Sequence, residues 1–280
     1  MFLLLGTLWV NADERTFRQR GPNQPLYVVT HNHYAQGFTP AGPTARFGDL
    51  IMIEIFNPKA VSSDQTSSYE VGRRYALFVG GERRGDVKIE RVTPLQCNSS
   101  AAVVSADPSV HLSTEAMALA TNAKMIRPHQ NAQHQANAIE RSQAMRLAME
   151  GFRKHGVPDE AAKDIQIEHL VVTKVDHRGQ RVLIGSLSVK AKGARHDMFL
   201  IGGITGSKSS IELARYHKTT DLEDGKDSER VRFVDQLDLD HDGTDEVVIE
   251  VTGYENEQFE IYTRQDGAWR QAWVGGQGGC

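Results

Sequence analysis

The chain has 280 residues, of which 39% are hydrophobic and 24% are charged. This is enough for a substantial core and favours two modules rather than one. The 32 basic and 36 acidic side chains give a formal net charge of −4, so the overall charge does not favour binding to nucleic acid or to an anionic membrane surface. The two cysteines, Cys97 and Cys280, do not have the spacing of a zinc site.

Residues 1–12 begin with an apolar segment, Phe2–Val10, that is too short to span a bilayer. Its length matches the hydrophobic region of a signal peptide, and Val10-Asn11-Ala12 supplies small residues where a signal peptidase cleaves. The basic region of a signal peptide is missing, so such a peptide would start upstream of Met1. The segment is either a signal-peptide remnant or a plain N-terminal strand. We favour the remnant, which predicts a secreted, periplasmic or cell-surface protein.

The two cysteines suit an exported protein with one disulfide bond between Cys97 and Cys280, although two unrelated thiols would give the same count. Cys280 ends a flexible, glycine-rich tail, residues 276–280, which is able to reach many partners. A cell-surface or assembly component tethered through Cys280 is therefore a third possible role.

Residues 25–105 are predicted to form an N-terminal β module, either a small barrel or a sandwich. A glycine-rich connection at 80–85 predicts a hairpin leading into a strand at 86–92. His31 and His33 would share one strand face, but no third ligand is near in sequence, so we interpret them as surface histidines. The other strands are indicated by short apolar runs bounded by turn residues, at 26–29, 50–56 and 75–79.

Residues 106–137 are rich in Ala, Gln, Asn and His and predict a polar linker that contains a short helix near Thr114–Asn122. Residues 138–156 predict the main helix, which Gly156 and Pro158 end. Its apolar stripe, interpreted as core packing, consists of Ile139, Met145, Ala148, Met149 and Phe152.

Residues 165–275 contain a repeat of two similar units, each predicted to be a four-stranded antiparallel sheet. The region is too short for a propeller, whose blades take about 40–45 residues each. We therefore expect two packed sheets, one of them covered by the helix, and a fold that is mostly β with one central helix (α+β). The strands of the first unit are predicted at 167–172, 182–187, 197–201 and 210–216, and those of the second at 231–234, 247–249, 259–262 and 269–273.

Two loops in this region carry motifs that we interpret as turns. Gly202–Ser209 follows a strand, as a phosphate-binding loop does, but Ser207 separates the last glycine from Lys208 and a strand follows. A glycine-rich β-turn is therefore favoured. The acidic residues 221–227 are interpreted as a solvated loop rather than as a second, weak cation site.

The segment 238–246 places acidic residues at alternate positions, with Gly243 where the loop must turn. Ca²⁺ prefers six to eight converging oxygen ligands, and this pattern is able to supply several of them. Asp245 lies between two ligand positions and is expected to point outward. The predicted calcium ligands are the side chains of Asp238, Asp240, Asp242 and Glu246 and the carbonyl of Thr244.

The flanking sequences read as strands, and Ile249 stands where an EF-hand requires a bidentate glutamate. The D-x-D-x-D-G pattern in a hairpin instead resembles the FG-GAP/VCBS type of repeat, the calcium-loop blade of integrin-like β-propellers. Glu246 stands where that family usually has aspartate. The resemblance covers only the C-terminal part of the chain and implies a bound Ca²⁺. An acidic turn without an ion is the alternative.

The chain lacks the motifs G-x-S-x-G, H-E-x-x-H and G-x-G-x-x-G. We therefore predict a non-catalytic, exported, calcium-binding β protein that serves recognition, adhesion or structure, with an unidentified protein or glycan partner and no nucleic acid. The alternative is a hydrolase with a site between the two modules and a structural calcium. A cleft that gathers histidines and carboxylates with shifted pKa values would favour the hydrolase.

Overall fold

The computed structural model describes residues 27–31, 52–54, 71–72, 74–94, 100–106, 117–121, 133–239 and 242–279. In this part of the chain the protein is mostly β, with fifteen strands in three antiparallel sheets and one α-helix, which confirms the predicted fold class. The signal-peptide segment, His33, Cys97 and Cys280 lie outside the described residues. Among the residues that are described, no helix has the length and apolar character needed to cross a bilayer.

The N-terminal sheet has six strands in the order β2-β1-β6-β3-β4-β5, and it forms an open sheet rather than a closed barrel over the residues described there. Every neighbouring pair is antiparallel. The strands are β1 (Tyr27–His31), β2 (Met52–Glu54), β3 (Arg74–Val79), β4 (Glu82–Pro94), β5 (Ser100–Ala106) and β6 (Met117–Thr121).

Strand β6 corrects two expectations, because it replaces the short helix predicted at Thr114–Asn122 and lies inside the predicted linker 106–137. Its sequence Met-Ala-Leu-Ala-Thr consists largely of good helix formers. The strand is nevertheless paired on both sides, with β1 and with β3. Helix propensity is a weak preference of less than 1 kcal/mol per residue, and hydrogen bonding to two neighbouring strands overrides it here.

The β3–β4 hairpin turns at Gly80 and Gly81, which both have positive φ angles, of 64° and 74°. A two-residue hairpin loop of this type needs such angles at both positions, which explains the glycine pair. Strand β4 begins at Glu82, so the connection is shorter than the predicted 80–85. The tip of this hairpin lies against the C-terminal part of the molecule, since the N–H of Gly81 bonds to Asp235.

The second sheet contains the four strands predicted for the first repeat unit and one short edge strand, in the order β11-β10-β9-β8-β7. The β10–β11 connection turns at Gly206 and Ser207 and continues as a strand, which confirms the glycine-rich turn. The strands are β7 (His134–Gln135), β8 (Gln166–Lys174), β9 (Arg181–Ala191), β10 (Ala194–Thr205) and β11 (Lys208–Thr219).

The third sheet has the four strands predicted for the second repeat unit, in the simple order β12-β13-β14-β15. The loop 238–246 connects the first two of these strands. The strands are β12 (Arg230–Leu237), β13 (Glu246–Thr252), β14 (Asn256–Gln265) and β15 (Ala268–Gly279).

Helix α1 (Ala138–Lys154) begins at Asn137, whose side chain caps the N–H groups of Ile139 and Glu140. The predicted stripe is only partly right, because Ile139 is 72% exposed. The buried face is rotated from the predicted stripe and includes small residues, since the helix lies very close to the second sheet. A Cβ on Gly151 would be 2.5 Å from the sulfur of Met198. The residues buried on this face are Glu140, Gln143, Ala144, Leu147, Ala148, Gly151 and Phe152.

The second sheet is the middle layer of three. Helix α1 and the 3₁₀ helix η1 (Asp159–Asp164) cover one of its faces, where Leu147 and Phe152 pack on β9 and β10. The third sheet packs on its other face, where Phe199 and Ile201 meet Phe233 and Ile249. The expectation of two packed sheets with the helix covering one of them is therefore confirmed.

Candidate functional site

The predicted calcium loop connects β12 and β13 at one edge of the third sheet. Asp240 lies outside the described residues. The backbone of the loop folds around the carboxylates of Asp238 and Asp242. Gly243 N–H donates to Asp238 Oδ2 at 3.1 Å, and Thr244 N–H donates to Asp242 Oδ1 at 2.7 Å. Gly243 has a φ of 91°, so the turn occurs at the glycine, as the motif requires.

One oxygen of the Asp238 carboxylate remains available to bind a ligand. Its Oδ1 is buried and accepts no hydrogen bond within the described part of the chain. An anionic oxygen withdrawn from water without a partner is costly, and such atoms in native proteins usually face a donor, a water or an ion. The geometry of Asp238 therefore fits the role of a ligand at the first position of the loop.

Glu246 is fully buried and its carboxylate closes the loop. Oε2 accepts the N–H of Leu239 at 2.7 Å, and Oε1 accepts the hydroxyl of Thr263 on β14 at 3.2 Å. Each carboxylate oxygen has a second lone pair, so these bonds are compatible with ligation. The side chain thus holds the loop in place, whether or not an ion is bound.

Asp245 does not point outward, as the loop pattern led us to expect, but is fully buried. Its N–H donates to the carbonyl of Val175 at 2.7 Å, and its Oδ2 accepts from Gln236 Nε2 at 3.4 Å. The reason is that the turn of the first repeat unit covers the loop of the second. An isolated β-bridge joins Asp176 to Thr244. Asp245 would point outward only in a loop that faces solvent.

The described residues fit a cation in part. Asp238 supplies a buried oxygen without a hydrogen bond, and Asp242 is an exposed carboxylate in the same turn. Within the described ranges, which leave out Asp240, no three His, Cys, Asp or Glu side chains are grouped closely enough to hold a metal ion. The ligand set depends on Asp240, at the centre of the pattern.

A second candidate site is a cleft of about 450 Å³ between the second sheet and strand β12, near the tip of the β3–β4 hairpin. We call it the inter-sheet cleft. Four arginines line it, Arg195 and Arg215 on the second sheet and Arg230 and Arg232 on β12. Arg195 pairs with Glu168 at 2.6 Å and with Asp197 at 2.8 Å. Arg215 pairs with Glu229 at 2.9 Å and, across the gap, with Glu260 of β14 at 2.6 Å.

These ion pairs keep the carboxylates of Glu168 and Glu260 ionised. Burial raises the pKa of Glu168, but hydrogen bonds from Ser188 and Arg195 outweigh it, so that the pKa is lowered overall. In the same way, burial raises the pKa of Glu260, while the hydroxyl of Tyr262 and the charge of Arg215 lower it by more. Neither carboxyl is therefore suited to donate a proton near neutral pH.

His169 is the unusual side chain of the inter-sheet cleft. Its Nε2 is buried and has no hydrogen-bond partner among the described residues, and the centre of its ring lies 6.0 Å from that of Phe233. Burial, followed by the nearby charge of Arg232, lowers the pKa of the imidazole, so it is neutral at pH 7. Ser186, its cross-strand neighbour, donates its hydroxyl to the carbonyl of Val231 at 2.5 Å. The serine hydroxyl thus already has an acceptor in the opposite sheet.

We did not predict the inter-sheet cleft from the sequence, although the sequence contains a signal for it. Polar residues replace apolar ones at period two on three consecutive strands, on the face that elsewhere forms the inter-sheet core. The polar positions are Ser186 and Ser188 on β9, Arg195 and Asp197 on β10, and Arg215 and His217 on β11.

Comparison of the chain with protein-family models, with curated proteins and with solved structures gives no match.

Proposed function

We propose that this protein is an exported, calcium-stabilised β protein that acts in recognition, adhesion or structure rather than in catalysis. The observation that carries the proposal is Asp238 Oδ1, a buried carboxylate oxygen that has no hydrogen bond to any described residue, in a loop where N–H groups bind Asp238 Oδ2 and Asp242 Oδ1. A hard cation is a suitable partner for such an oxygen.

The ion would be held by Asp238, Asp240, Asp242, Glu246 and the carbonyl of Thr244. The resemblance of the D-x-D-x-D-G pattern to FG-GAP/VCBS repeats supports this ligand set. Bound Ca²⁺ would neutralise carboxylates that otherwise repel one another in a tight turn. The expected consequence is a more stable connection between β12 and β13.

A hydrolase is the second candidate, because the inter-sheet cleft brings His169 together with carboxylates between the second and third sheets, with Val79 and Gly80 of the N-terminal sheet at its edge. The ion pairing of these carboxylates favours ligand binding over acid–base catalysis. Glu168 and Glu260 are ion-paired and have lowered pKa values, and the hydroxyl of Ser186 is bonded to a backbone carbonyl. A general acid needs a raised pKa instead.

Thermal unfolding in calcium, in magnesium and in chelator tests the calcium proposal. Extracellular calcium modules bind with Kd values of roughly 10⁻⁴–10⁻³ M, and a 100-fold excess over Kd stabilises by about 2.7 kcal/mol. We expect the melting temperature to rise in calcium and to change little in magnesium, which demands stricter octahedral geometry. Identical melting of the wild type in calcium and in chelator would contradict the proposal.

Matched substitutions localise the effect. Asp238→Asn and Asp242→Asn keep an oxygen for the loop N–H groups but remove a negative charge, so the calcium response should be lost. Asp224→Asn is the control, because it removes the same charge from an exposed loop where Asp224 pairs with Lys226. This control should keep the full calcium response.

Export is a separate part of the proposal and rests on Phe2–Val10 and Val10-Asn11-Ala12. The mature chain is expected to begin at Asp13. N-terminal sequencing of protein secreted from cells that make the chain with an upstream start checks this. An intact Met1 in the cytoplasmic fraction would rule it out.

A further inference from the structure

The inter-sheet cleft is a continuation of the packed space between the second and third sheets. The same strand face that supplies Phe199 and Ile201 to the apolar core supplies Asp197 two residues earlier. On β8 the same change from an apolar to a polar residue occurs between Val171 and His169. The sheets therefore pack tightly at one end and leave a polar space at the other.

The size of the inter-sheet cleft suits a small ligand. Pockets for small molecules are typically about 300–1,000 Å³, and the 450 Å³ here lies within that range. Phe199 and Phe233 lie where the cleft meets the apolar core, and the ion pairs of Arg195 and Arg215 lie further out. The cleft thus combines an apolar inner end with fixed polar groups.

The four arginines of the inter-sheet cleft all have carboxylates nearby, so the charges nearly balance. Arg195 pairs with Glu168 and Asp197, and Arg215 pairs with Glu229 and Glu260. Arg232 pairs with Glu250, and the charge of Arg230 acts on Glu168. An anionic ligand would meet these carboxylates, while a cationic ligand would meet the guanidinium groups. Net charge therefore favours neither kind of ligand, and a neutral polar ligand meets the least opposition.

The ion pairs also fix hydrogen-bond donors and acceptors in place. Each carboxylate keeps lone pairs beyond those used by arginine, and a hydroxyl group is able both to donate to a carboxylate and to accept from a guanidinium. Two neighbouring hydroxyl groups on one sugar ring are suited to bind such alternating carboxylate and guanidinium groups.

His169 supplies an independent observation. Its Nε2 is buried at the cleft and has no partner among the residues described. Buried polar atoms in native proteins are rarely left in this state, so the atom points to a ligand group or a water. A hydroxyl satisfies a ring nitrogen in either tautomer, because it both donates and accepts.

We propose that the inter-sheet cleft binds a neutral, polyhydroxylated ligand, a short glycan, with His169 Nε2 and the Arg195 ion-pair cluster contacting its hydroxyl groups. This assignment deepens the recognition role proposed above and rests on it, but it does not depend on calcium. The glycan is the partner and the cleft is where it is recognised.

The test uses the full chain and an array of neutral oligosaccharides built from glucose, galactose, mannose and N-acetylglucosamine, followed by calorimetric titration of the best probe. Glucuronate and glucosamine oligomers serve as the charged comparison. We expect a neutral probe to bind more tightly than both charged ones. The absence of binding by every neutral probe at about 10 mM, or tighter binding of a charged oligomer, would overturn the proposal.

Substitutions then localise the site. His169→Phe removes the ring nitrogens and Asp197→Asn removes one charge from the Arg195 cluster, and each should weaken binding at least tenfold. His155→Phe is the matched control, since His155 is exposed and stacks on Tyr216, outside the lining of the cleft. Melting temperatures confirm that each variant is folded. Unchanged binding in both cleft variants places the site elsewhere and overturns the assignment.

Titration in calcium and in chelator separates this proposal from the previous one. Glycan binding without any calcium effect on melting would remove only the calcium role. A calcium effect without glycan binding would remove only the glycan assignment. A neutral probe that is cleaved rather than retained would favour the hydrolase and exclude a role limited to recognition.

Discussion

The carboxylate of Asp235 accepts a hydrogen bond of 3.0 Å from the N–H of Gly81, 154 residues earlier in the chain. Gly80 N–H also bonds to this carboxylate, as does the N–H of Gln236 at 2.8 Å. Asp235 is only 1% exposed, so a single buried side chain joins the hairpin of the N-terminal sheet to β12. The first two predictions concern this contact.

The first prediction concerns pH. Burial, supported by the charge of Asp245, raises the pKa of Asp235 to about 7, although three backbone N–H groups act in the opposite direction. Between about pH 4 and 7 the folded protein therefore keeps a proton that the unfolded chain loses. The free energy of unfolding should fall as pH rises through this window, by at most about 1.4 kcal/mol per pH unit.

Asp235→Asn isolates this effect, because asparagine keeps an oxygen for the N–H groups and does not ionise. Denaturant unfolding between pH 4 and 8 should show the wild type losing stability relative to this variant as pH rises. Asp224→Asn, in an exposed loop, should follow the wild type. Parallel curves for wild type and Asp235→Asn would mean that Asp235 has an ordinary pKa.

The second prediction concerns the hairpin tip. A Cβ on Gly80, where φ is 64°, would lie 3.1 Å from Gln133 Oε1 and 3.2 Å from its Cβ. Gly206 is a matched control, since it occupies a hairpin turn with a φ of 61° and would meet nothing within 4 Å. Gly206→Ala should cost about 1–2 kcal/mol through backbone strain alone. Gly80→Ala should cost more, and it should also reduce the pH dependence assigned to Asp235.

Equal losses of unfolding free energy in Gly80→Ala and Gly206→Ala would show that the hairpin tip does not contribute to stability through its contact with the C-terminal part. Denaturant unfolding of the two variants, each at pH 5 and pH 8, makes this comparison directly.

The third prediction concerns the helix contact. A Cβ on Gly202 would lie 2.5 Å from Leu147 Cδ1, which is too close for both side chains to keep their positions. Gly202→Ala should therefore destabilise the protein, as should Leu147→Ala, at about 2–5 kcal/mol for the latter. The double variant should cost less than the sum, with a coupling of about 0.5–3 kcal/mol in a double-mutant cycle. Strict additivity would show that the helix moves away from β10 at little cost.

The fourth prediction separates Asp245 from the calcium ligands. Because Asp245 is fully buried and bonded to Gln236, Asp245→Ala should lower the free energy of unfolding by about 1–3 kcal/mol in calcium and in chelator alike. Asp242→Ala should lower the free energy of unfolding more in calcium than in chelator, since in chelator it loses the hydrogen bonds of an exposed side chain, such as that from Thr244 N–H, but no metal bond. Thermal melts of both variants in the two conditions check this. A loss confined to calcium in Asp245→Ala would identify Asp245 as a ligand.

The sequence by itself determined much of the C-terminal part. Short apolar runs bounded by turn residues predicted all eight strands of the two repeat units, because strands that are buried on both faces are apolar at successive positions. Gly243 located the turn of the acidic loop, since few other residues adopt a φ of 91°. The helix was found through its pattern of apolar and charged residues and through its stop residues Gly156 and Pro158.

Only the tertiary structure decided what lies against these elements. Strand β6 is a strand because β1 and β3 flank it, and its own residues favour a helix. Asp245 is buried because the turn after Val175 covers its loop, and the Asp245 N–H bonds to the carbonyl of Val175 from a distant part of the chain. The inter-sheet cleft exists because polar residues on the second sheet face β12, and that pairing of faces depends on how the sheets pack. Local sequence fixes the period of an element, whereas contacts between distant segments decide its environment.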